Sequence, residues 1–263
     1  MIFKQDLVDS PLVISVPHAG LRLIEGQRDR LTEQGGALVD TDWHVDRLVA
    51  ALESREFSRL IAACSRVVVD LNRSPDDEPL YPGAGTTLVP LETFSGKPLY
   101  LTGQEPTQED CRVRLQNYWR PYHDALAAML DRARARFGHA VLLDVHSIAS
   151  AVPRLFDGVL PDLNLGTHSG RSCAQSLEAE VGRLFGSQSR FSTVVNGRFK
   201  GGFITRHYGR PDQGVHALQL EIAQHSYMDE ERPRDWDEER AGPLIRFLDE
   251  LIELLLRWTP PGP

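Results

Sequence analysis

The chain alternates short apolar runs with longer amphipathic stretches, and this alternation restricts it to few fold classes. The runs PLVISV, RLIAAC, RVVVDL, HAVLLDV, STVVN and HALQLEIA have the length and apolar content of strands. Helical spacing of apolar residues recurs near 43–54, 107–137, 172–186 and 239–258. This pattern is typical of α/β proteins. We predict a single domain over residues 1–263, with a mixed or mostly parallel sheet flanked by helices in three layers.

Composition excludes several classes of protein. Hydrophobic residues make up 41% of the chain, and no apolar stretch approaches the roughly 20 residues of a membrane span. A net charge of -8 without a basic cluster argues against a nucleic-acid partner. Cys64, Cys111 and Cys173 are too irregularly spaced for a disulfide framework or a thiolate zinc site. The first residues do not resemble a signal peptide, so we expect a soluble, cytoplasmic protein.

Polar segments stand at or just after the ends of four predicted strands. These segments are PHAG, DLNRSPDD, LLDVHS and LQLEIAQ. Open α/β sheets bind their ligands in a crevice outside the carboxyl ends of the strands. We therefore expect the four segments to converge on one crevice.

Two histidines in these segments hold similar positions and suggest a metal site. His18 follows the first strand, and in LLDVHS the alternation of side chains places Asp144 and His146 on one face. A hydrolytic zinc ion takes three nitrogen or oxygen ligands and keeps one position for water. His18 and His146 supply two such ligands. The alternative is that His146 is a core histidine bonded to Asp144.

The segment DTDWHVDRLV offers the third ligand. We assign Asp42, with His44 as the alternate ligand. Asp40 and Asp42 also suit the N-cap of the predicted helix, because a short carboxylate accepts hydrogen bonds from the first turn. The sequence does not decide between these roles.

Glu221 interrupts a predicted strand that is otherwise mostly apolar, with Leu218, Leu220 and Ile222 on the opposite face. The alternation in HALQLEIA places Gln219 and Glu221 together, and burying an unpaired carboxylate is costly. Glu221 is therefore either the general base for a metal-activated water or the partner of an arginine.

Two cationic segments suit a substrate that carries two carboxylates. Asn72 and Arg73 follow the run RVVVDL, and a guanidinium can hold a carboxylate through two parallel hydrogen bonds. The glycine-punctuated segment NGRFKGGFITRHYGRP adds Arg198, Arg206 and His207. The role of His207 stays open between substrate contact, oxyanion stabilisation and packing.

The ordered set of these segments resembles the N-formylglutamate amidohydrolase family. The resemblance runs through PLVISVPHAG, DTDWHVDRL, VVDLNRSPDD, PLYPGAG, LLDVHSI, LFDG, PDLNLGT, NGRFKGGFITRHYG and HALQLEIAQHSYM. It implies zinc-dependent hydrolysis of N-formyl-L-glutamate to formate and L-glutamate, late in histidine degradation. It also implies a fold similar to the zinc carboxypeptidases, of the phosphorylase/hydrolase-like kind.

The resemblance assigns roles to individual residues. His18 and His146 match the family's histidine ligands, Glu221 its base, and Asn72 with Arg73 its carboxylate clamp. The carboxypeptidase pattern has a glutamate ligand three residues after the first histidine, where this chain has Leu21, so the third ligand must come from further on. The rival interpretations are a zinc amidase for another N-acyl amino acid or a peptide, and a silent carboxylate-binding or metal-storage protein.

Overall fold

A computed structural model describes residues 2–52, 55–77 and 87–261 of the chain. The predicted PLYPGAG motif lies outside the described residues. Within them, seven strands form one mixed sheet in the order β1-β3-β2-β4-β7-β5-β6. The strands are β1 Phe3–Asp6, β2 Leu12–Val16, β3 Ser58–Ala62, β4 Ala140–Ile148, β5 Leu163–Gly166, β6 Thr193–Val195 and β7 Val215–Ala223. The four central strands are mutually parallel, whereas β1 pairs antiparallel with β3 and β5 pairs antiparallel with β7.

Helices cover both faces of the sheet. They are α1 Glu33–Ala37, α2 Val45–Ala50, α3 Gln108–Arg114, α4 Arg120–Phe137, α5 Gln175–Ser187, α6 Phe203–Tyr208 and α7 Glu238–Arg257. A π-helical segment, Leu115–Trp119, joins α3 to α4. Apolar side chains of α2, α5 and α7 pack on one face, and those of α4 pack on the other. The predicted α/β class with a mixed sheet between helical layers is confirmed.

Along the two longest strands, β4 and β7, buried apolar side chains of the core give way to buried polar side chains of the site. Every residue of β4 and β7 is buried, which explains their nearly continuous apolar sequence. On the face that packs against α4, Leu142 of β4 belongs to the core, whereas Asp144 and His146 follow it on the same face. The parallel register sets Asp144 opposite Gln219 and His146 opposite Glu221. The layer beneath α4 therefore becomes polar at the carboxyl edge of the sheet.

The predicted strand over RVVVDL is wrong. Residues 66–68 and 71–72 form turns, in which Val68 N donates to Ser65 O and Arg73 N donates to Asp70 O. The Asp70 carboxylate also accepts a hydrogen bond from Asn72 N, which stabilises the turn. The valines of this run are buried against the core although they pair with no strand. Their apolar character reflects burial rather than sheet formation.

The other predicted elements agree with the structure to within a few residues, except the helix at 43–54. Only Val45–Ala50 of that stretch forms α2, and residues 53 and 54 lie outside the described residues. The short β1, β5, α1 and α6 have too few residues to show a periodic pattern and were not predicted. In the described part of the chain, no helix has the length and apolarity needed to cross a membrane.

Candidate active site

Three buried side chains from distant segments meet at the carboxyl edge of the sheet. His18 follows β2, His146 lies in β4, and Asp42 precedes α2. One ligand atom from each lies within 4.8 Å of the others. Asp42 Oδ2 is 3.1 Å from His146 Nδ1 and 3.7 Å from His18 Nδ1. The cluster could bind a metal ion through two nitrogens and one oxygen.

A carboxylate fixes the orientation of each imidazole. His18 Nε2 lies 2.8 Å from Asp70 Oδ1, and His146 Nε2 lies 2.7 Å from Asp144 Oδ2. In a neutral imidazole whose Nε2–H donates to the carboxylate, Nδ1 presents its lone pair to the centre of the cluster, as a metal ligand requires. His18 Nδ1 is buried and has no hydrogen-bond partner within the described residues. An inward lone pair without a donor fits a metal ligand.

The charges around the cluster favour a cation at its centre. Burial opposes ionisation of Asp42, but its contacts with His146 and His18 hold the pKa of Asp42 below its usual range. Burial also lowers the pKa of His146, and Asp144 and Asp42 outweigh that effect, so this pKa is raised well above its usual value. In the metal-free chain, a proton on His146 supplies positive charge at this position.

Arg66 and Asp70 belong to the site although the sequence assigned them no role. Arg66 Nη2 donates to Asp70 Oδ2 at 2.7 Å, and its Nη1 lies 3.5 Å from Asp42 Oδ1. The ring of Phe94 covers the guanidinium at 4.6 Å. Despite burial, Arg66 and His18 hold the pKa of Asp70 well below its usual value. Asp70 ends a run of valines, and a carboxylate in an apolar run must be paired or functional because its burial is costly. The argument that selected Glu221 could therefore also have selected Asp70 from the sequence.

The cluster opens onto a cavity of about 90 Å³. His18 and His146 line it, together with Glu221 and Gln219 from β7. Burial raises the pKa of Glu221 to about 8, and His146 offsets only part of this effect. Among the described residues Glu221 forms no ion pair, so the structure shows no arginine partner for it. Its carboxylate instead accepts a hydrogen bond from Gln219 Nε2 at 3.2 Å.

The predicted substrate-binding residues divide into two groups. Asn72, Arg73 and Arg198 line the cavity, and the Nε of Arg198 donates to Leu155 O at 2.7 Å. Arg206 and His207 lie on α6, outside the cavity lining. Arg206 Nε donates to Gly201 O, and the ring of His207 stacks on Phe203 at 4.8 Å.

His44 lies apart from the metal cluster. It is the N-cap of α2, with a φ of 61°, and its ring is 5.5 Å from Trp236. Neither nearby aspartate caps the helix: Asp42 accepts a hydrogen bond from Ser147 N, and Asp40 accepts one from Phe94 N. The N-cap interpretation of both aspartates is therefore wrong, because their carboxylates face other segments.

Comparisons with known proteins identify the family of the chain. A sequence model of the family described as N-formylglutamate amidohydrolase matches residues 10–228. An N-formylglutamate deformylase of Pseudomonas putida is 48% identical over 248 residues, covering 94% of this chain and 93% of the relative. An enzyme of the same name from Pseudomonas aeruginosa is 49% identical over 256 residues, covering 97% and 96%.

Solved structures extend the likeness to the fold. The crystal structure of N-formylglutamate amidohydrolase from Ralstonia eutropha JMP134 has a TM-score of 0.78 and 28% identity, covering 95% of both chains. A protein of Agrobacterium tumefaciens has a TM-score of 0.71 over 97% of this chain and 94% of its own, at 15% identity, and shows the shared fold alone. The predicted family is confirmed: the chain belongs to the N-formylglutamate amidohydrolases.

Proposed function

We propose that the protein is a zinc-dependent hydrolase that cleaves N-formyl-L-glutamate to formate and L-glutamate, a late step of histidine degradation. One observation carries the proposal: the His18–Asp42–His146 cluster opens onto the cavity that also holds Glu221, Arg73 and Arg198. The names of the relatives support the same substrate. The likeness to zinc carboxypeptidases stays a prediction.

The donor set favours zinc among the common metals. Two imidazole nitrogens and one carboxylate oxygen are typical of catalytic zinc, whereas magnesium and calcium prefer oxygen ligands alone. When bound, zinc would polarise the formyl oxygen and lower the pKa of a coordinated water to about 7. His18, His146 and Asp42 would hold it, with Asp70 and Asp144 keeping both imidazoles in the required orientation.

Glu221 would act as the general base and then as the general acid. Its carboxylate takes one proton from water while the water oxygen attacks the formyl carbon. The same group then gives this proton to the departing glutamate nitrogen, and the C–N bond breaks. The second proton of the attacking water also passes to the amine, so the products are formate and the ammonium form of L-glutamate, and atoms and charge balance. Burial raises the pKa of Glu221, and a bound cation nearby would lower it again; together these opposing effects suit a group that takes up and returns a proton near neutral pH.

Arg73 and Arg198 would bind the two carboxylates of the substrate. Both line the cavity, whereas Arg206 does not, so we assign Arg198 rather than Arg206 to the second carboxylate. Asn72 contacts the same region, and its Oδ1 accepts from Ile204 N at 2.8 Å, which fixes the amide. Binding energy at the carboxylates would orient the formyl carbon for attack.

The test is formate release from N-formyl-L-glutamate by chelator-treated protein, before and after one equivalent of zinc. We expect activity only with zinc, and we expect Glu221→Gln to bind zinc while losing turnover. Full activity of the metal-free protein would contradict the metal assignment, and an active Glu221→Gln variant would contradict the role of Glu221. Parallel assays with N-acetylglutamate, N-formylaspartate and a glutamyl peptide identify the acyl and amino acid preference. A zinc-loaded protein that binds these compounds without hydrolysing any would be a binding protein instead.

A further inference from the structure

Gln219 connects the candidate base to two other parts of the cavity. It lies on β7, two residues before Glu221, and only 4% of it is exposed. Its Oε1 accepts a hydrogen bond from Gly202 N at 2.7 Å and lies 3.4 Å from Asn72 Nδ2. Its Nε2 donates to Glu221 Oε2 at 3.2 Å. The side-chain amide of Gln219 therefore contacts both the substrate-binding segments and the base.

The chemistry of its partners determines which way this amide points. A backbone N–H can only donate, so the Gln219 atom facing Gly202 must be the carbonyl oxygen. The NH2 group must then face Glu221. A carboxylate can accept this bond whether the other oxygen carries a proton or not. The contact can therefore persist while Glu221 gains and loses a proton.

We propose that Gln219 is a positioning residue, which holds Glu221 by Oε2 so that Oε1 is the oxygen that takes the proton from water and returns it to the leaving nitrogen. This inference rests on the proposed function of Glu221. A neutral amide suits this task, since it orients the carboxylate without the opposite charge that would suppress its basicity. An arginine at this position would form an ion pair with the base.

The alternative is that Gln219 only anchors the neighbouring loop. Gly202 packs closely there, because a Cβ atom at this position would lie 2.3 Å from Asn72 Nδ2. The isosteric variant Gln219→Glu separates the two roles. An ionised glutamate can still accept the Gly202 N–H, but it has no donor for Glu221. Two facing carboxylates would repel or share one proton, and either outcome displaces the base from its working state.

For zinc-loaded Gln219→Glu acting on N-formyl-L-glutamate, we expect kcat to fall about 10- to 100-fold, because a hydrogen bond to a charged group is lost. The loop contact is retained, but the new carboxylate lines the cavity proposed for a dicarboxylate substrate, so we expect KM to rise by a smaller factor than kcat falls. Gln219→Met removes both contacts, so we expect it to raise KM as well. Gln27→Glu is the matched control. Gln27 is also a buried glutamine whose Oε1 accepts from a backbone N–H, and it does not line the cavity.

Several outcomes would overturn the inference. Gln219→Glu with wild-type kcat, whatever its KM, would show that the donor to Glu221 is dispensable. A crystal structure of zinc-loaded Gln219→Met gives a readout that needs no turnover. We expect a rotated Glu221 carboxylate, and an unchanged carboxylate would refute positioning by Gln219. An inactive wild-type protein with zinc bound would instead refute the proposed substrate, while the crystallographic test would still decide the role of Gln219.

Discussion

Replacing Asp144 by asparagine should weaken metal binding while leaving the fold intact. Asp144 Oδ2 accepts from His146 Nε2 at 2.7 Å, and its Oδ1 accepts from Ser15 Oγ at 2.7 Å. In the variant, the amide oxygen can still accept from His146. The amide nitrogen can donate to Ser15 Oγ, which can then donate to the Tyr122 hydroxyl 3.0 Å away. Every buried polar group thus keeps a partner, and the main change is the loss of one negative charge.

The size of the effect follows from that lost charge. A hydrogen bond to a charged group stabilises by about 1.5–3 kcal/mol and a neutral one by about 0.5–1.5 kcal/mol. The difference, about 1–1.5 kcal/mol, corresponds to roughly a tenfold loss of zinc affinity. This lies at the lower end of the about 10- to 100-fold losses seen when such partners of metal-binding histidines are removed.

The pH dependence gives a further check on the same reasoning. Burial lowers the pKa of His146, but Asp144 and Asp42 raise it above its usual value, so protons compete with zinc for this ligand. Without the charge of Asp144, the pKa of His146 falls and the proton competes less. The ratio of wild-type to variant affinity should therefore shrink as the pH falls through the wild-type pKa of His146.

Zinc affinity can be measured by competition with a chromophoric chelator over a pH series. Asp162→Asn is a matched control, because Asp162 also pairs with a histidine, His225 at 2.6 Å, outside the metal cluster. The control should keep wild-type zinc affinity. Equal affinities of wild type and Asp144→Asn throughout the pH series would refute the idea that Asp144 strengthens His146 as a ligand.

Three further variants test other parts of the site. In the same chelator assay, Asp42→Asn should lower zinc affinity at least about tenfold, whereas His44→Gln should leave it unchanged. The opposite result would make His44 the ligand. Arg198→Met should raise KM for N-formyl-L-glutamate about 10- to 100-fold, whereas Arg206→Met should change this KM less than about threefold. Equal effects of the two variants on KM would contradict the assignment of Arg198. Because the pKa of Glu221 is raised from 4.5 to about 8, the stability it contributes is present below about pH 4.5 and is lost as the pH rises through about 8. The melting temperature of metal-free Glu221→Gln should therefore rise relative to that of metal-free wild type as the pH increases from about 5 to about 9. A difference between the two melting temperatures that does not change with pH would contradict the raised pKa.

Much of the site can be anticipated because its residues follow from sheet geometry. His146 and Glu221 belong to long apolar runs, and the alternation of side chains along a strand is enough to assign each of them to a face. Parallel strands bring their carboxyl ends to one edge, which places His18 beside them. The family is predicted from the order of the segments and is confirmed over residues 10–228.

The remaining residues depend on contacts that no local pattern records. Arg66 lies in a run that looks like a strand, and its role arises from turns that direct its guanidinium to Asp70 and Asp42. The preference for Asp42 over His44 depends on a backbone turn. His44 has a positive φ, and its ring lies against Trp236. A positive φ at a residue other than glycine is uncommon, so spacing along the sequence could not reveal it.

The sum of the buried charges links these residues to the metal. Asp42, Asp70 and Asp144 are buried, and the buried guanidinium of Arg66 contacts two of them. Arg73 also lies 4.0 Å from Asp70, so with both histidines neutral three carboxylates face two guanidinium groups and leave one negative charge. The buried carboxylate of Glu221 adds another when it is ionised, and uncompensated buried charge is strongly unfavourable. A bound divalent cation would cancel that charge and would need neutral imidazoles as ligands. Without it, a proton on His146 compensates part of the charge, which accounts for the raised pKa of this residue. The carboxylates thus orient the imidazoles, and their negative charge would favour a cation in the cluster.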